Sequence, residues 1–63
     1  MTVKTEIGNI TATKDVLNEI SLAFGRSEEV HKRRGHLALA DRDDNISFAI
    51  YRALAETGYY NER

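Results

Sequence analysis

The residues of this chain that could carry chemistry are concentrated in one acidic run and one basic run. Residues 41–45 read DRDDN, and residues 31–36 read HKRRGH. A dense group of carboxylates can bind a divalent cation, cap a helix or transfer protons, whereas a group of cations can bind phosphate. Which of these applies depends on the elements that position the two runs.

In the acidic run, Asp41, Asp43 and Asn45 reproduce the first three ligand positions of a calcium loop between two helices. That loop needs a glycine for its sharp turn and a bidentate glutamate at its twelfth position, and this chain has isoleucine and arginine there. The sequence therefore favours capping, with Asp41 or Asp44 as the N-cap of a last helix and the other acids in its first turn. No metal site is predicted.

In the basic run, Lys32, Arg33 and Arg34 are the candidate nucleic-acid contacts, because cations on a helix can meet phosphates without reading sequence. The alternative is a solvated face that pairs with Glu28 and Glu29, or with residues 41–44 of a neighbouring copy, through exposed ion pairs of little energetic weight. The net charge of −1 favours the solvated face, since dedicated nucleic-acid-binding domains more often carry a basic excess.

No catalytic or cofactor-binding residues are predicted, and we expect the protein not to be an enzyme. The chain has no cysteine, no glycine-rich phosphate loop and no serine with an obvious histidine and acid partner. His31 and His36 are five positions apart, so they do not share a helical face as a metal-binding pair would. Both histidines are predicted at the surface.

Periodicity predicts the elements that position these runs. Residues 2–7 alternate as a short half-buried strand that ends at Gly8 and Asn9, and no second strand is expected in the chain. The strand should then pair with the same segment of another copy or form an extended arm. A first helix begins at a cap on Thr11 or Thr13 and ends at Gly25.

The pattern after Gly25 divides into two further helical segments. Ser27 has the features of a new N-cap for a middle helix over residues 28–40. This segment contains Gly35, at a cost of about 1 kcal/mol relative to alanine, and is either one helix or broken there. The last helix follows the acidic run and ends at Gly58. The expected inner core is Val16, Leu17, Ile20, Phe24, Leu37, Leu39, Ile46, Ile50 and Leu54.

The last helix is apolar on two faces, which is more than one small chain can bury. One face carries Ile46 and Ile50, and the second carries Phe48, Tyr51 and Ala55. A domain of 63 residues buries only about 60% of its unfolded surface and cannot use disulfides here, so oligomerisation is the expected source of extra stability.

These observations predict a mainly α fold: a two- or three-helix hairpin with a short N-terminal extended or β segment, forming an oligomer. We assign residues 1–63 to one small domain, with an extended arm over 1–10, helices over 11–58 and a tail over 59–63. The start lacks a signal-peptide core and no apolar run could span a bilayer, so we expect a cytoplasmic protein without membrane contact.

The function expected from this pattern is that of a non-catalytic binding or regulatory protein that acts through protein–protein contacts. Its partners would be copies of itself, as a dimer or larger homo-oligomer, and an unidentified protein. Its contact residues would be Phe48, Tyr51, Ala55 and Tyr59, and no cofactor is required.

The alternative function is nucleic-acid binding by the basic run, or by an arrangement comparable to the ribbon-helix-helix DNA binders. In that comparison residues 2–7 form the ribbon, residues 14–24 the first helix and residues 25–28 the turn into the second. The second helix would have only Val30 as a large apolar residue in its first two turns, and the last helix would be surplus to the motif.

Overall fold

A computed structural model of the chain describes residues 1–61, and its first element is a β-hairpin. Strands β1 (Thr2–Thr5) and β2 (Gly8–Thr11) pair antiparallel, with Val3 opposite Ile10. The expectation that β1 has no partner within the chain was wrong. The turn consists of residues 6 and 7, and Gly8 belongs to β2, where its φ of +115° is a conformation that glycine adopts without strain.

The first helix, α1 (Lys14–Arg33), is almost twice as long as predicted. Its N-cap is Thr13, one of the two predicted caps, whose hydroxyl accepts a hydrogen bond from the Val16 amide at 3.2 Å. The predicted end at Gly25 and the new cap at Ser27 were both wrong, because the helix continues through them. It ends where Gly35 adopts a φ of +77°.

The second helix, α2 (Leu37–Glu56), includes the acidic run in its interior. The segment over residues 28–40 is not one helix, because it is broken at Gly35, with its first part in α1 and its last part in α2. The predicted caps Asp41 and Asp44 lie within α2. His36 occupies the N-cap position without a side-chain cap hydrogen bond. The predicted end near Gly58 is confirmed, since α2 stops at Glu56 and Gly58 has a φ of +78°.

The two helices form an antiparallel hairpin, and the β-hairpin covers one side of it. Ile20 and Phe24 are partly buried against the core, as predicted. Three predicted core residues are instead exposed: Val16, Leu37 and Leu39. Val16 lies one position away from the inward stripe of α1, and the two leucines lie in the first turn of α2, at the end farthest from the β-hairpin. The buried apolar side chains between these layers are Val3, Leu17, Ile46, Ile50 and Leu54.

The residues after α2 fold back onto α1. A short 3₁₀ helix, Tyr59–Asn61, places the Tyr59 hydroxyl 2.5 Å from a carboxylate oxygen of Asp15. The Tyr60 hydroxyl donates to the side-chain oxygen of Asn18 at 2.8 Å. The predicted tail is thus anchored as far as Asn61, and its last two residues, 62 and 63, lie outside the described residues.

Candidate functional site

The main surface feature is an open groove between α1 and α2, on the side of the helical hairpin opposite the β-hairpin. Its volume is about 490 Å³, and its apolar walls are Leu22 from α1 with Phe48 and Tyr51 from α2. Leu22 and Phe48 are each 55% exposed and Tyr51 is 49% exposed. We call these three side chains and the groove between them the groove face.

Small residues form the floor of the groove and hold the two helices close together. The Ser47 hydroxyl donates to the Ser21 carbonyl at 2.9 Å, and the Ser21 hydroxyl donates to the Ser47 carbonyl at 3.0 Å. A Cβ atom built on Gly25 would lie 3.9 Å from the Ser47 hydroxyl oxygen. Because this floor is shallow and polar, the larger apolar side chains stand on both sides of it and remain in solvent.

The aromatic side chains form a continuous row from the groove to the end of the described chain. Ring centroids are 6.3 Å apart for Phe48 and Tyr51, and 5.1 Å apart for Tyr51 and Tyr60. Tyr59 and Tyr60 meet edge to face at 5.1 Å. The Arg52 guanidinium lies 5.8 Å from the Phe48 ring centroid, a cation–π distance. The row presents aromatic area with polar ends, which suits protein contact.

The groove face contains some of the predicted contact residues and one that was missed. Phe48, Tyr51 and Ala55 are exposed, and Tyr59 is half-buried. Leu22 was not predicted, although it lies away from the inward positions of the first helical pattern. Leu22 is exposed because it lies outside the inward-facing stripe of the helix. An apolar residue outside that stripe could have indicated this exposed position from the sequence.

The basic run lies at the C-terminal end of α1, where cations interact favourably with the helix dipole. Lys32 Nζ is 3.5 Å from a Glu28 carboxylate oxygen, and Arg33 is 4.0 Å from Glu29. Arg34 is the C-cap. The predicted pairing with the two glutamates is therefore confirmed, and nucleic-acid contact by the three cations stays a prediction.

The acidic run contributes one buried carboxylate, Asp43, which contacts α1. Its Oδ2 accepts a hydrogen bond from His31 Nδ1 at 2.7 Å, and its Oδ1 is 3.4 Å from the Arg42 guanidinium. The nearby Ser27 side chain also favours the charged form of this carboxylate. Burial alone would raise the pKa of the Asp43 carboxyl. The three neighbouring polar side chains and the charge attraction to His31 together hold the pKa of the Asp43 carboxyl below its ordinary value.

This cluster does not have the geometry of a hydrolytic triad. The Ser27 hydroxyl oxygen lies 3.4 Å from His31 Nδ1, the same ring nitrogen that bonds Asp43. In a serine nucleophile site the hydroxyl and the carboxylate lie on opposite ring nitrogens, so that the imidazole can move a proton between substrate and serine. His31 is half-buried because it joins the two helices, whereas His36 is exposed.

The calcium alternative fails because the acidic run is helical. Asp41 and Asn45 are exposed on α2 while Asp43 points into the helical hairpin, so the three side chains diverge. Within residues 1–61, no group of three acidic, histidine or cysteine side chains could hold a metal ion. Over the same residues, no helix is long and apolar enough to cross a membrane.

Comparison with protein-family models, curated proteins and solved structures gave no match to this chain. Function must therefore be inferred from the residues of the groove face and their surroundings.

Proposed function

We propose that this protein is a non-catalytic binding protein that works as a homo-oligomer and associates through the groove face. The observation that carries the proposal is the contiguous exposure of Leu22, Phe48 and Tyr51 on one side of a two-helix hairpin. An exposed apolar patch with polar residues around it is typical of a protein interaction site. Polar side chains at the edge of the groove are Arg26, Glu28 and Glu29.

The small core supports the same proposal. Among residues 1–61, five apolar side chains form the buried cluster, whereas nine large apolar side chains are exposed. Covering apolar area contributes about 25 cal/mol per Å², so a partner on the groove face would add stability that this short chain cannot obtain from its own interior. Oligomerisation is an established way for domains of this size to gain that stability.

The test of self-association compares two glutamate substitutions at equally exposed apolar positions. Phe48→Glu places a charge in the groove face, while Ile7→Glu places one in the turn of the β-hairpin, and both wild-type side chains are 55% exposed. We expect wild type and Ile7→Glu to sediment as oligomers at micromolar concentration and Phe48→Glu to sediment as a monomer. Circular dichroism verifies that each variant remains helical. A monomeric wild type would rule out the proposal.

A second function, nucleic-acid binding through Lys32, Arg33 and Arg34, is supported by their clustering at one end of α1. Fluorescence anisotropy with a labelled duplex tests it, because binding by cations weakens steeply as salt concentration rises. Replacing Arg34, the C-cap of α1, should weaken such binding as much as replacing Lys32. No change in anisotropy at low salt would exclude this function.

A further inference from the structure

We infer that the groove face is occupied by a second copy of this chain, related by a two-fold axis that runs parallel to the helices. In this arrangement α1 of one copy lies on α2 of the other, and the dimer is an antiparallel four-helix bundle. The inference rests on the proposed function and specifies the partner and its orientation. It comes from the order of charges along the two helices.

The apolar centre of the groove face has unlike charges on its loop side. Leu22 and Phe48 lie opposite each other across the groove, beside the hydrogen-bonded serines of the floor. One helical turn nearer the loop between the helices, α1 carries Arg26 and α2 carries Asp44. Both side chains are exposed.

On the other side of the apolar centre the signs are reversed. One turn away from the loop, α1 carries Glu19 and α2 carries Arg52, and both are exposed. Arg52 lies at the edge of the groove, between the Phe48 ring and the cleft beside β1. Along α1 the order is therefore acidic, apolar and basic, and along α2 at the same levels it is basic, apolar and acidic. A surface with this order is complementary to itself, as a two-fold interface requires.

Rotation about a two-fold axis parallel to the helices leaves every residue at the same height along the helix axes. Leu22 then packs against Phe48 of the second copy, so each apolar wall covers the other. Arg26 meets Asp44 of the second copy, and the opposite pair of charges meets one turn beyond the centre. Each contact occurs twice in the dimer. The net charge of −1 on each chain adds little repulsion.

The proposed arrangement also brings one pair of like charges together in each half of the interface. At the next turn Glu29 comes near Asp41 of the second copy, although Arg33 of its own chain lies 4.0 Å from Glu29. In a second face-to-face dimer, with its two-fold axis perpendicular to the helices at Leu22, Leu22 meets Leu22, Phe48 meets Phe48 and α1 lies on α1 of the other copy. The two dimers therefore differ in the partner of Arg26, which is Asp44 in the first and Glu19 in the second.

Charge reversal in two separate chains tests this pairing. Arg26→Glu alone and Asp44→Arg alone each place like charges together twice in a homodimer, and we expect each dimer to be about tenfold weaker or more. Mixed in equal amounts, the two variants place the introduced glutamate against the introduced arginine in one contact and keep the native Arg26–Asp44 pair in the other. A heterodimer of wild-type affinity should therefore form, and native mass spectrometry with one chain isotope-labelled detects it.

The mixing experiment distinguishes an Arg26–Asp44 ion pair between two chains from one within a single chain. An ion pair lost within one chain would not be restored by adding the second variant. Lys4→Glu makes the same charge change on the exposed side of β1 and should leave the dimer unchanged. If either reversal unfolds the chain, Arg26→Gln and Asp44→Asn replace it. Each should then weaken the dimer a few-fold, and the double variant should be no weaker than either single one.

The outcomes separate the arrangement from the proposed function. A dimeric wild type whose single variants dimerise normally, or whose mixed variants stay monomeric, would overturn the arrangement and leave self-association intact. The dimer with the perpendicular axis predicts that the mixed variants stay monomeric. In that dimer, mixing would leave the glutamate introduced by Arg26→Glu against Glu19 of the other chain. A monomeric wild type would overturn both proposals.

Discussion

At the scale of single residues, Asp43 is notable because its ionisable side chain is buried between the two helices. Its carboxylate is fully buried and bonded to His31 of α1, while Asp41 on the same helix is exposed. A group whose pKa is lower in the folded chain than in the unfolded chain stabilises the fold above its unfolded pKa, about 3.9 for aspartate. That contribution disappears as pH falls from there through the folded pKa.

We therefore expect the free energy of unfolding to fall with acid below about pH 4 in wild type and to depend less on pH in Asp43→Asn. At neutral pH this variant should lose about 2 kcal/mol, because charge-assisted hydrogen bonds to a buried group are replaced by neutral ones. Urea denaturation at several pH values and one protein concentration measures both effects. The control, Glu6→Gln, replaces an exposed acid in the turn of the β-hairpin and should change neither. An equal effect from the control would contradict the assigned role of Asp43.

Among the secondary-structure elements, the glycines show why the helix boundaries were hard to predict. Gly25 and Gly35 are the same residue type, but the first lies inside α1 and the second ends it with a φ of +77°. Sequence patterns treat either glycine as a possible end. Packing decides which glycine ends the helix. Gly25 lies against Ser47 of α2, and the helical backbone of α1 passes that point without close contacts.

Alanine substitutions at these two glycines should have opposite effects. Gly25→Ala should stabilise the chain by about 0.5–1 kcal/mol, since alanine favours helix and its Cβ would lie 3.9 Å from the nearest atom. Gly35→Ala should destabilise it by about 1 kcal/mol, because a positive φ is strained for alanine. Urea denaturation of both variants checks the signs. A destabilised Gly25→Ala would indicate a break in α1 at that point.

For the molecule as a whole, self-association should make thermal stability depend on protein concentration. A dimer that forms only from folded chains shifts the midpoint of unfolding upward as concentration rises. We expect such a shift for wild type between micromolar and hundreds of micromolar, and none for Phe48→Glu. Calorimetry over that range measures it. An identical midpoint at all concentrations for wild type would contradict association through the groove face.

Local patterns in the sequence were enough to predict several features of this molecule. These are helical periodicity around Leu17 and Ile50, a cap at Thr11 or Thr13, the stop near Gly58 and an apolar second face at Phe48. These depend on spacing within one segment, which a sequence displays directly. The pairing of Lys32 and Arg33 with the glutamates one turn earlier was accessible for the same reason.

Tertiary contacts were needed to establish which helical segments join, what β1 pairs with, and where Asp43 and Leu22 lie. Residues 41–45 have the local chemistry of a helix start, but they lie inside α2, where Asp43 makes a buried contact with His31. Such choices depend on contacts between residues distant in the chain, whose energies exceed the capping and propensity preferences of roughly 1 kcal/mol that a local pattern records.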